Sequence, residues 1–381
     1  MHYKDKLGVY CVGDLKFYSK VEAIEMHAKT GIHPHWNFNE EIFDMHDWTQ
    51  EPRISLEELY RQRAQQLRDQ YDYVILMYSG GADCENILQT FVKNDIKLDE
   101  AVSFINYDAT GDKDSWLNEE IFKTAIPTIQ HIQSKHQNIR HRIIDITKWQ
   151  TDYFSTNSSR YDWIYQTNYA FNPNVAARGD WISKTKDLLE LMNTGKKICV
   201  IWGIDKPRIV HTDKGLSLRF LDMVDSAAVV PSITGIQPYV DELFYWTPDL
   251  PELVIKQAHI IKQYISGDVH SLPYMTTEKS DLAFRVVDGK KYWLSRAGMH
   301  KLIYPDWTPG RIECGKTPSL IFSNRDTWFF NMEDQNLIKQ NWSVGLTKLW
   351  QMLPDYWKNN PNDISKSVKG CWSKDYYLEK L

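Results

Sequence analysis

The sequence predicts an α/β protein in which a parallel sheet carries helices on both faces. Between residues 73 and 202, four apolar segments of strand length alternate with segments of helical periodicity. Parallel strands need long crossover connections, which are usually helices, so this alternation favours a parallel sheet. The first apolar segment ends abruptly at Gly80 and Gly81, and this marks a tight turn from a strand into a helix.

The segment before this sheet predicts a small N-terminal module of residues 1–55. A strand is expected at 7–12 and a helix from Lys20 to Thr30. Ser55 followed by Glu58 is a capping-box pattern that starts the next helix, which is expected to end near residue 69. Three arginines are expected on the solvated face of that helix: Arg61, Arg63 and Arg68.

The other elements follow from apolar periodicity and from the positions of glycine and proline. The predicted strands are 73–78, 100–106, 140–146 and 197–202, and the predicted helices are 84–94, 117–135 and 181–193. From residue 236 the alternation fades, and helices are expected at 253–265 and 337–352. We therefore expect three units: residues 1–55, an α/β domain at 56–235, and a mainly helical C-terminal domain at 236–381.

Composition narrows the class of protein. The chain has 381 residues and a formal net charge of −5, which does not indicate a nucleic-acid partner, although a local basic patch stays open. Its five cysteines include no C-x-x-C pair, so a zinc ribbon or iron–sulfur site is not indicated. The sequence has no signal-peptide pattern and no apolar run of bilayer length. A cytoplasmic protein with free thiols and no membrane segment is the expectation, and a homodimer is left open.

The sequence Ser79-Gly80-Gly81-Ala82-Asp83-Cys84 has the features of a phosphate-binding turn. Adjacent glycines let the backbone approach an anion closely. The unpaired N–H groups at the start of the following helix then point at that anion, assisted by the helix dipole. The hydroxyl of Ser79 can add one more donor. The alternative is a glycine-rich turn that has no ligand.

This turn resembles the S-G-G-x-D-S loop of the PP-loop ATP pyrophosphatases. Ser79, Gly80, Gly81 and Asp83 match the loop, while Cys84 stands where serine is usual. The resemblance covers about a third of the chain, from near residue 70 to near residue 215. It implies a Rossmann-like (HUP-type) domain that binds ATP with Mg²⁺ and cleaves it to AMP and pyrophosphate.

The resemblance also implies roles for individual residues. The phosphates would lie on residues 79–84, and the adenine or ribose would lie near Asn106, Tyr107 and Asp108. Asp83 is expected to take part in catalysis and in metal binding.

A second cluster, with the sequence WGIDKPR, follows the fourth predicted strand. Ligands of parallel sheets bind beyond the carboxyl ends of the strands, so this cluster and the glycine turn are expected at one edge. Asp205 would hold magnesium together with Asp83, and Lys206 and Arg208 would bind the growing charge of the pyrophosphate. Gly203 would line the nucleotide site. The alternative is a surface turn with a salt bridge.

Other residues could also take part in chemistry. Asp112 and Asp114 are acids near the end of the second strand. His259 could reach the site from a C-terminal helix, although a structural role on that helix face is the alternative. Cys314 and Cys371 could correspond to the redox cysteine of the reductase-type relatives, although neither stands in their local motif.

Three functions follow. In the first, ATP adenylates an oxygen of an unidentified acceptor, and an amine, ammonia or sulfur donor then displaces AMP. The second is a nucleotide-binding protein similar to phosphoadenylylsulfate reductases, which release no pyrophosphate. The third is a PP-loop module that binds without turnover. Cys84 favours the third function, whereas the intact Gly80, Gly81 and Asp83 favour turnover. Because His2 follows Met1, a glutamine-hydrolysing domain of the asparagine-synthetase type is not expected.

Overall fold

The computed structural model describes most of the chain. The described residues are 6–115, 117–135, 138–156, 162–166, 171–178, 181–212, 214–222, 239–267, 285–287, 290–292, 296–307, 327–332, 336–358, 360–362 and 368–379.

The elements are numbered in chain order. The strands are β1 (Val9–Val12), β2 (Leu15–Phe17), β3 (His35–Asn37), β4 (Tyr73–Met77), β5 (Glu100–Ile105), β6 (Arg140–Asp145), β7 (Ile198–Trp202), β8 (Arg208–Thr212), β9 (Gly215–Arg219), β10 (Tyr239–Leu243), β11 (Arg285–Val287), β12 (Lys290–Tyr292) and β13 (Tyr376–Tyr377). The helices are α1 (Lys20–Thr30), α2 (Glu40–Phe43), α3 (Leu56–Gln70), α4 (Ala82–Lys93), α5 (Tyr107–Thr110), α6 (Ile126–Lys135), α7 (Thr147–Thr156), α8 (Pro173–Arg178), α9 (Lys186–Asn193), α10 (Pro251–Gly267), α11 (Arg296–Ile303), α12 (Thr327–Asn331) and α13 (Asn336–Met352). Among the described residues, no helix has both the length and the apolar character needed to cross a membrane.

A five-stranded sheet lies in the α/β part of the fold. Its order is β10-β7-β4-β5-β6, and every neighbouring pair is parallel, which confirms the predicted parallel sheet with helices. Counted along the chain, the strands from β6 to β10 lie in the order 3-2-1-4-5, so the order reverses between β4 and β7. Sheets of this kind bind ligands at the reversal, beyond the carboxyl ends of the strands.

The two strands at the reversal are also the apolar centre of the sheet. All five residues of β7 and the last four residues of β4 are buried, as expected for strands that are covered on both faces. Helix α4 packs against them with Ile87, Leu88 and Phe91, which are fully buried. The turns that leave β4 and β7 are therefore held by a well-packed core.

Strand β10 extends the sheet past residue 235, into the range assigned to a helical C-terminal domain. It pairs in parallel with β7 over its whole length. Its apolar pattern was hidden because the adjacent acids Asp241 and Glu242 lie in its centre. Both acids are paired in the fold: the Trp202 indole donates to Asp241 at 2.7 Å, and Arg63 donates to Glu242 at 2.7 Å. Burial raises the pKa of Asp241 to about 8.

Two of the three arginines of α3 do not lie on the predicted solvated face, whereas Arg61 does, with 43% of its side chain exposed. Arg63 is fully buried because it pairs with Glu242, whose position 179 residues away no local pattern reveals. Arg68 also turns inward and pairs with Asp99. Ser55 accepts the Glu58 N–H at 3.2 Å, as a cap should, but the Glu58 carboxylate binds Arg61 instead of reaching back to the cap.

The predicted helix at 117–135 is divided into two parts. A π-helix covers Ile121–Ala125, and α6 begins at Ile126. Pro127 explains the division, because proline has no N–H and its ring excludes the carbonyl one turn earlier. The helix expected from 181 starts later, at Lys186, after Thr185 in the capping position.

A buried ion pair joins segments that are distant in the sequence. Lys20 of α1 donates to Asp222 at 2.9 Å and to the carbonyl of Lys369 at 2.8 Å. Asp222 also accepts from the Tyr10 hydroxyl at 2.6 Å and from the Cys371 N–H at 2.8 Å. The N-terminal sheet β2-β1-β3 and the sheet β13-β9-β8 are thereby tied to one carboxylate.

We predict that Lys20→Met lowers the free energy of unfolding by roughly 3 kcal/mol, because it leaves the buried Asp222 carboxylate without its cation. Urea denaturation measures this value. Lys29→Met is the matched control, since Lys29 is exposed near the end of the same helix and should change stability by less than about 0.5 kcal/mol. Equal stability of the two variants would show that the Lys20 pair contributes nothing.

Candidate functional site

The glycine turn closes on itself through its own side chains. The Ser79 N–H donates to the Cys84 sulfur at 3.4 Å, and the Cys84 thiol donates to the Gly81 carbonyl at 3.2 Å. The Gly81 N–H donates to the Ser79 hydroxyl at 3.3 Å. Gly80 has φ +85°, and a Cβ there would lie 3.3 Å from the backbone nitrogen of Ala125. Position 80 therefore requires glycine for its conformation and also for space.

Cys84 has a structural place in this turn. The thiol is buried, and burial raises its pKa to about 11. It therefore stays protonated at neutral pH, accepting from one backbone group of the turn and donating to another. Cys84 thus makes hydrogen bonds that hold the turn closed.

Gly203, directly after β7, lies against the first turn of α4. A Cβ at this position would lie 3.2 Å from the Cβ of Asp83 and 3.3 Å from the backbone nitrogen of Cys84. Contacts this short mean that any side chain here would push against the backbone of α4. The turns after β4 and β7 therefore meet at the reversal of strand order, and their approach depends on the missing side chain of Gly203.

Four charged side chains converge where these turns meet. Lys206 donates to both carboxylate oxygens of Asp83, at 2.6 and 2.7 Å, and lies 3.6 Å from Asp205. Arg208 donates to the other oxygen of Asp205 at 3.0 Å. The Lys206 and Asp205 side chains are about 5% exposed, so this cluster is buried. The alternative for this segment was a surface turn with a salt bridge. The salt bridge between Arg208 and Asp205 is present, but Asp205 and Lys206 are buried and do not lie on the surface.

Two tyrosines also donate hydrogen bonds to Asp83. The Tyr304 hydroxyl donates to the Asp83 carboxylate at 2.5 Å, and the Tyr245 hydroxyl donates to the Asp83 carbonyl at 2.7 Å. Burial raises the pKa of both tyrosines well above the usual value, so both remain donors. Sequence reasoning missed them, because Tyr245 stands in an aromatic run after an unrecognised strand and Tyr304 follows a short helix.

Glu120 is a third residue that the sequence did not single out. Its side chain is buried, and its Oε1 atom would lie 3.5 Å from a Cβ built on Gly81. The same construction places the Ser79 hydroxyl 3.3 Å away. A carboxylate thus lies beside the glycine turn, and only its position within a run of polar residues before the helix could have hinted at it.

The residues expected near the adenine lie one strand further along the sheet edge. Tyr107 packs its ring against Phe122, with 5.9 Å between ring centres. The Asp108 N–H donates to Asp145 at 2.8 Å, and the Asn106 amide donates to Gln150 at 2.6 Å. These groups fix the end of β5. Two of the other candidate acids, Asp112 and Asp114, are exposed.

The remaining candidates have structural places or lie outside the described residues. His259 is buried and its Nε2 lies 2.9 Å from the Trp48 carbonyl, and burial lowers its pKa. This supports the structural alternative. Cys371 is buried next to Asp222, and burial raises its pKa to about 12. Cys314 lies outside the described residues.

The donor set can accept Mg²⁺ only together with a ligand. Among the described residues, no group of three or more His, Cys, Asp or Glu side chains is arranged to hold a metal ion. The carboxylates of Asp83 and Asp205 nevertheless converge on the Lys206 ammonium. In many nucleotide-binding proteins, magnesium is bound by one or two protein carboxylates together with phosphates of the substrate. These two acids therefore fit a cation that arrives bound to phosphate.

A scan against protein-family models and a search of curated proteins gave no match to this chain. The chemistry of the site is therefore the basis for assigning a function.

We predict that the Cys84 thiol is alkylated by iodoacetamide at pH 8 about a hundredfold more slowly than an exposed thiol. The reason is that a pKa near 11 leaves very little thiolate at that pH. Peptide mapping of the native and the urea-unfolded chain measures this rate, and Cys84 in the unfolded chain is the exposed reference. Labelling of native Cys84 as fast as unfolded Cys84 would contradict a closed turn.

Proposed function

We propose that this chain is an ATP-dependent adenylating enzyme that cleaves ATP to AMP and pyrophosphate. One observation carries the proposal: the glycine turn and the Gly203–Arg208 segment meet at the reversal of strand order, where Lys206 lies on Asp83. This is the position at which doubly wound sheets bind nucleotides. Two cations in a buried crevice suit a leaving group that gains negative charge.

Each residue takes a part in this proposal. The N–H groups at the start of α4 bind the β- and γ-phosphates, assisted by the helix dipole. Lys206 and Arg208 leave their carboxylate partners and bind the pyrophosphate as its charge grows. Asp83 and Asp205, once released from these cations, would be the residues that hold a magnesium ion accompanying the nucleotide. Tyr304 keeps the Asp83 carboxylate in place during this exchange.

The finer fold assignment belongs to the same proposal. A Rossmann-like domain of the HUP type spans about residues 56–235, and β10, which follows that range, adds the last strand to its sheet. Residues 1–55 form an N-terminal module, and a mainly helical C-terminal domain, within 236–381, supplies Tyr304 to the site. The protein works in the cytoplasm, and its acceptor is activated for attack by an amine, ammonia or a sulfur donor.

A module that binds a nucleotide without turnover is the second candidate. The observation that favours it is the neutrality of the cluster, in which both carboxylates already have cations within 3.0 Å. A fully paired cluster can serve stability alone. Product analysis separates this candidate from the enzyme.

We predict that ATP binds to the chain in the presence of Mg²⁺ and that Gly81→Val abolishes binding. A side chain at position 81 would project between the Ser79 hydroxyl and Glu120, where the backbone must stay open to phosphate. Calorimetry measures binding, and thermal melting checks that the variant is folded. Unchanged affinity in a folded Gly81→Val protein would remove the nucleotide from this turn.

We predict that turnover yields AMP and pyrophosphate from ATP labelled at the α-phosphate, with cell extract as the source of the acceptor. Arg208→Ala should lower kcat by roughly 10²-fold with a smaller change in KM, because pyrophosphate charge develops in the transition state. Lys214→Ala is the control, since Lys214 is exposed on the neighbouring β8–β9 hairpin and should not alter the rate. ADP as the sole product would refute this reaction, and no product with any extract would favour the binding module.

A further inference from the structure

The glycine turn is covered on one side by the segment that begins at Glu120. The π-helix after Glu120 brings Thr124 and Ala125 to 3.3 Å from the position of a Cβ on Gly80. The first two residues of this π-helix, Ile121 and Phe122, both donate their N–H groups to the Asn118 carbonyl at 3.0 Å. The backbone at Glu120 is therefore fixed on both sides, and its carboxylate is held beside the turn.

The neighbouring acid, Glu119, has a different environment. Its carboxylate lies 3.3 Å from the ammonium of Lys123, on a part of the segment that solvent reaches. Glu120 is only 5% exposed, and its Oε1 atom faces the same side of Gly81 as the Ser79 hydroxyl. Of these two successive acids, Glu120 therefore lies beside the glycine turn, and Glu119 lies where solvent reaches it.

A buried carboxylate beside the glycine turn would weaken the binding of a polyphosphate that carries no metal ion. Like charges at close range repel strongly where water is excluded, and a divalent cation between them turns the repulsion into attraction. Glu120 is close enough for its charge to act on the turn, because its Oε1 atom lies 3.5 Å from the position of a Cβ on Gly81. The glycine turn therefore distinguishes a metal-bound phosphate from a metal-free one.

We propose that Glu120 determines the specificity of the glycine turn by admitting polyphosphates with a bound divalent cation and rejecting the metal-free anion. The proposal rests on the nucleotide site proposed above and adds a residue that neither the glycine pattern nor the cationic cluster includes. Glu120 is a specificity residue here: its charge sets which ionic form of the nucleotide enters.

The test compares ATP affinity with excess Mg²⁺ and with EDTA, measured by calorimetry on the full chain. For the wild type we expect metal-free ATP to bind at least tenfold more weakly. Glu120→Gln keeps the size and removes the charge, so metal-free ATP should gain at least tenfold in affinity and the metal dependence should shrink accordingly. Glu119→Gln is the matched control and should retain the wild-type dependence.

The outcomes separate this inference from the proposed function. ATP binding that Gly81→Val abolishes, with a metal dependence that Glu120→Gln leaves unchanged, would keep the nucleotide site and overturn the role of Glu120. Equal wild-type affinity with Mg²⁺ and with EDTA would overturn it without any variant. Absence of ATP binding in all proteins would overturn both. Glu120→Asp retains the charge and should retain the dependence; if it behaves like Glu120→Gln, packing and not charge is responsible, and the inference fails.

Discussion

The ion pair between Lys206 and Asp83 is the interaction on which the site depends. It joins the turn after β4 to the turn after β7 with hydrogen bonds of 2.6 and 2.7 Å. Because both partners are largely buried, removal of either would leave a charge with little access to water, so each keeps the other in place. Tyr304 adds a donor from the C-terminal part of the chain. Three segments that are distant in sequence therefore share one carboxylate at the reversal of strand order.

The charged residues of this site are held in place while they are largely shielded from solvent. Two glycines of the site are closely approached by other segments: Gly80 by Thr124 and Ala125, and Gly203 by the first turn of α4. The charged side chains are paired with one another. Under the proposed function, a ligand would have to bring both phosphates and a cation to replace these pairs. Binding would then be selective, because an anion alone or a cation alone would leave one set of charges unsatisfied.

Local sequence patterns were sufficient for the elements whose signals lie within a few residues. Strand β4, the glycine turn and α4 were predictable because an apolar run, two glycines and a helical repeat stand next to one another. Strand β7 was predictable because a continuous apolar run ends at Gly203. Partners from distant segments were not predictable. Arg63 is buried because it forms an ion pair with Glu242. Strand β10 forms although two acids lie in its centre. Tyr304 donates to Asp83, which is 221 residues away in the sequence. In each case a contact between distant segments overrides the local sequence preference. A single sequence does not show which distant residues come into contact, so these features could not be predicted from it.

The most direct measurement is a crystal structure of the chain with Mg²⁺ and an ATP analogue whose α–β bridge cannot be cleaved. The account predicts phosphates on the N–H groups at the start of α4, with the Lys206 ammonium moved from Asp83 to a phosphate oxygen and the cation held by Asp83 and Asp205. Phosphates bound elsewhere on the chain, or a nucleotide in the crevice beside an intact Lys206–Asp83 pair, would contradict it.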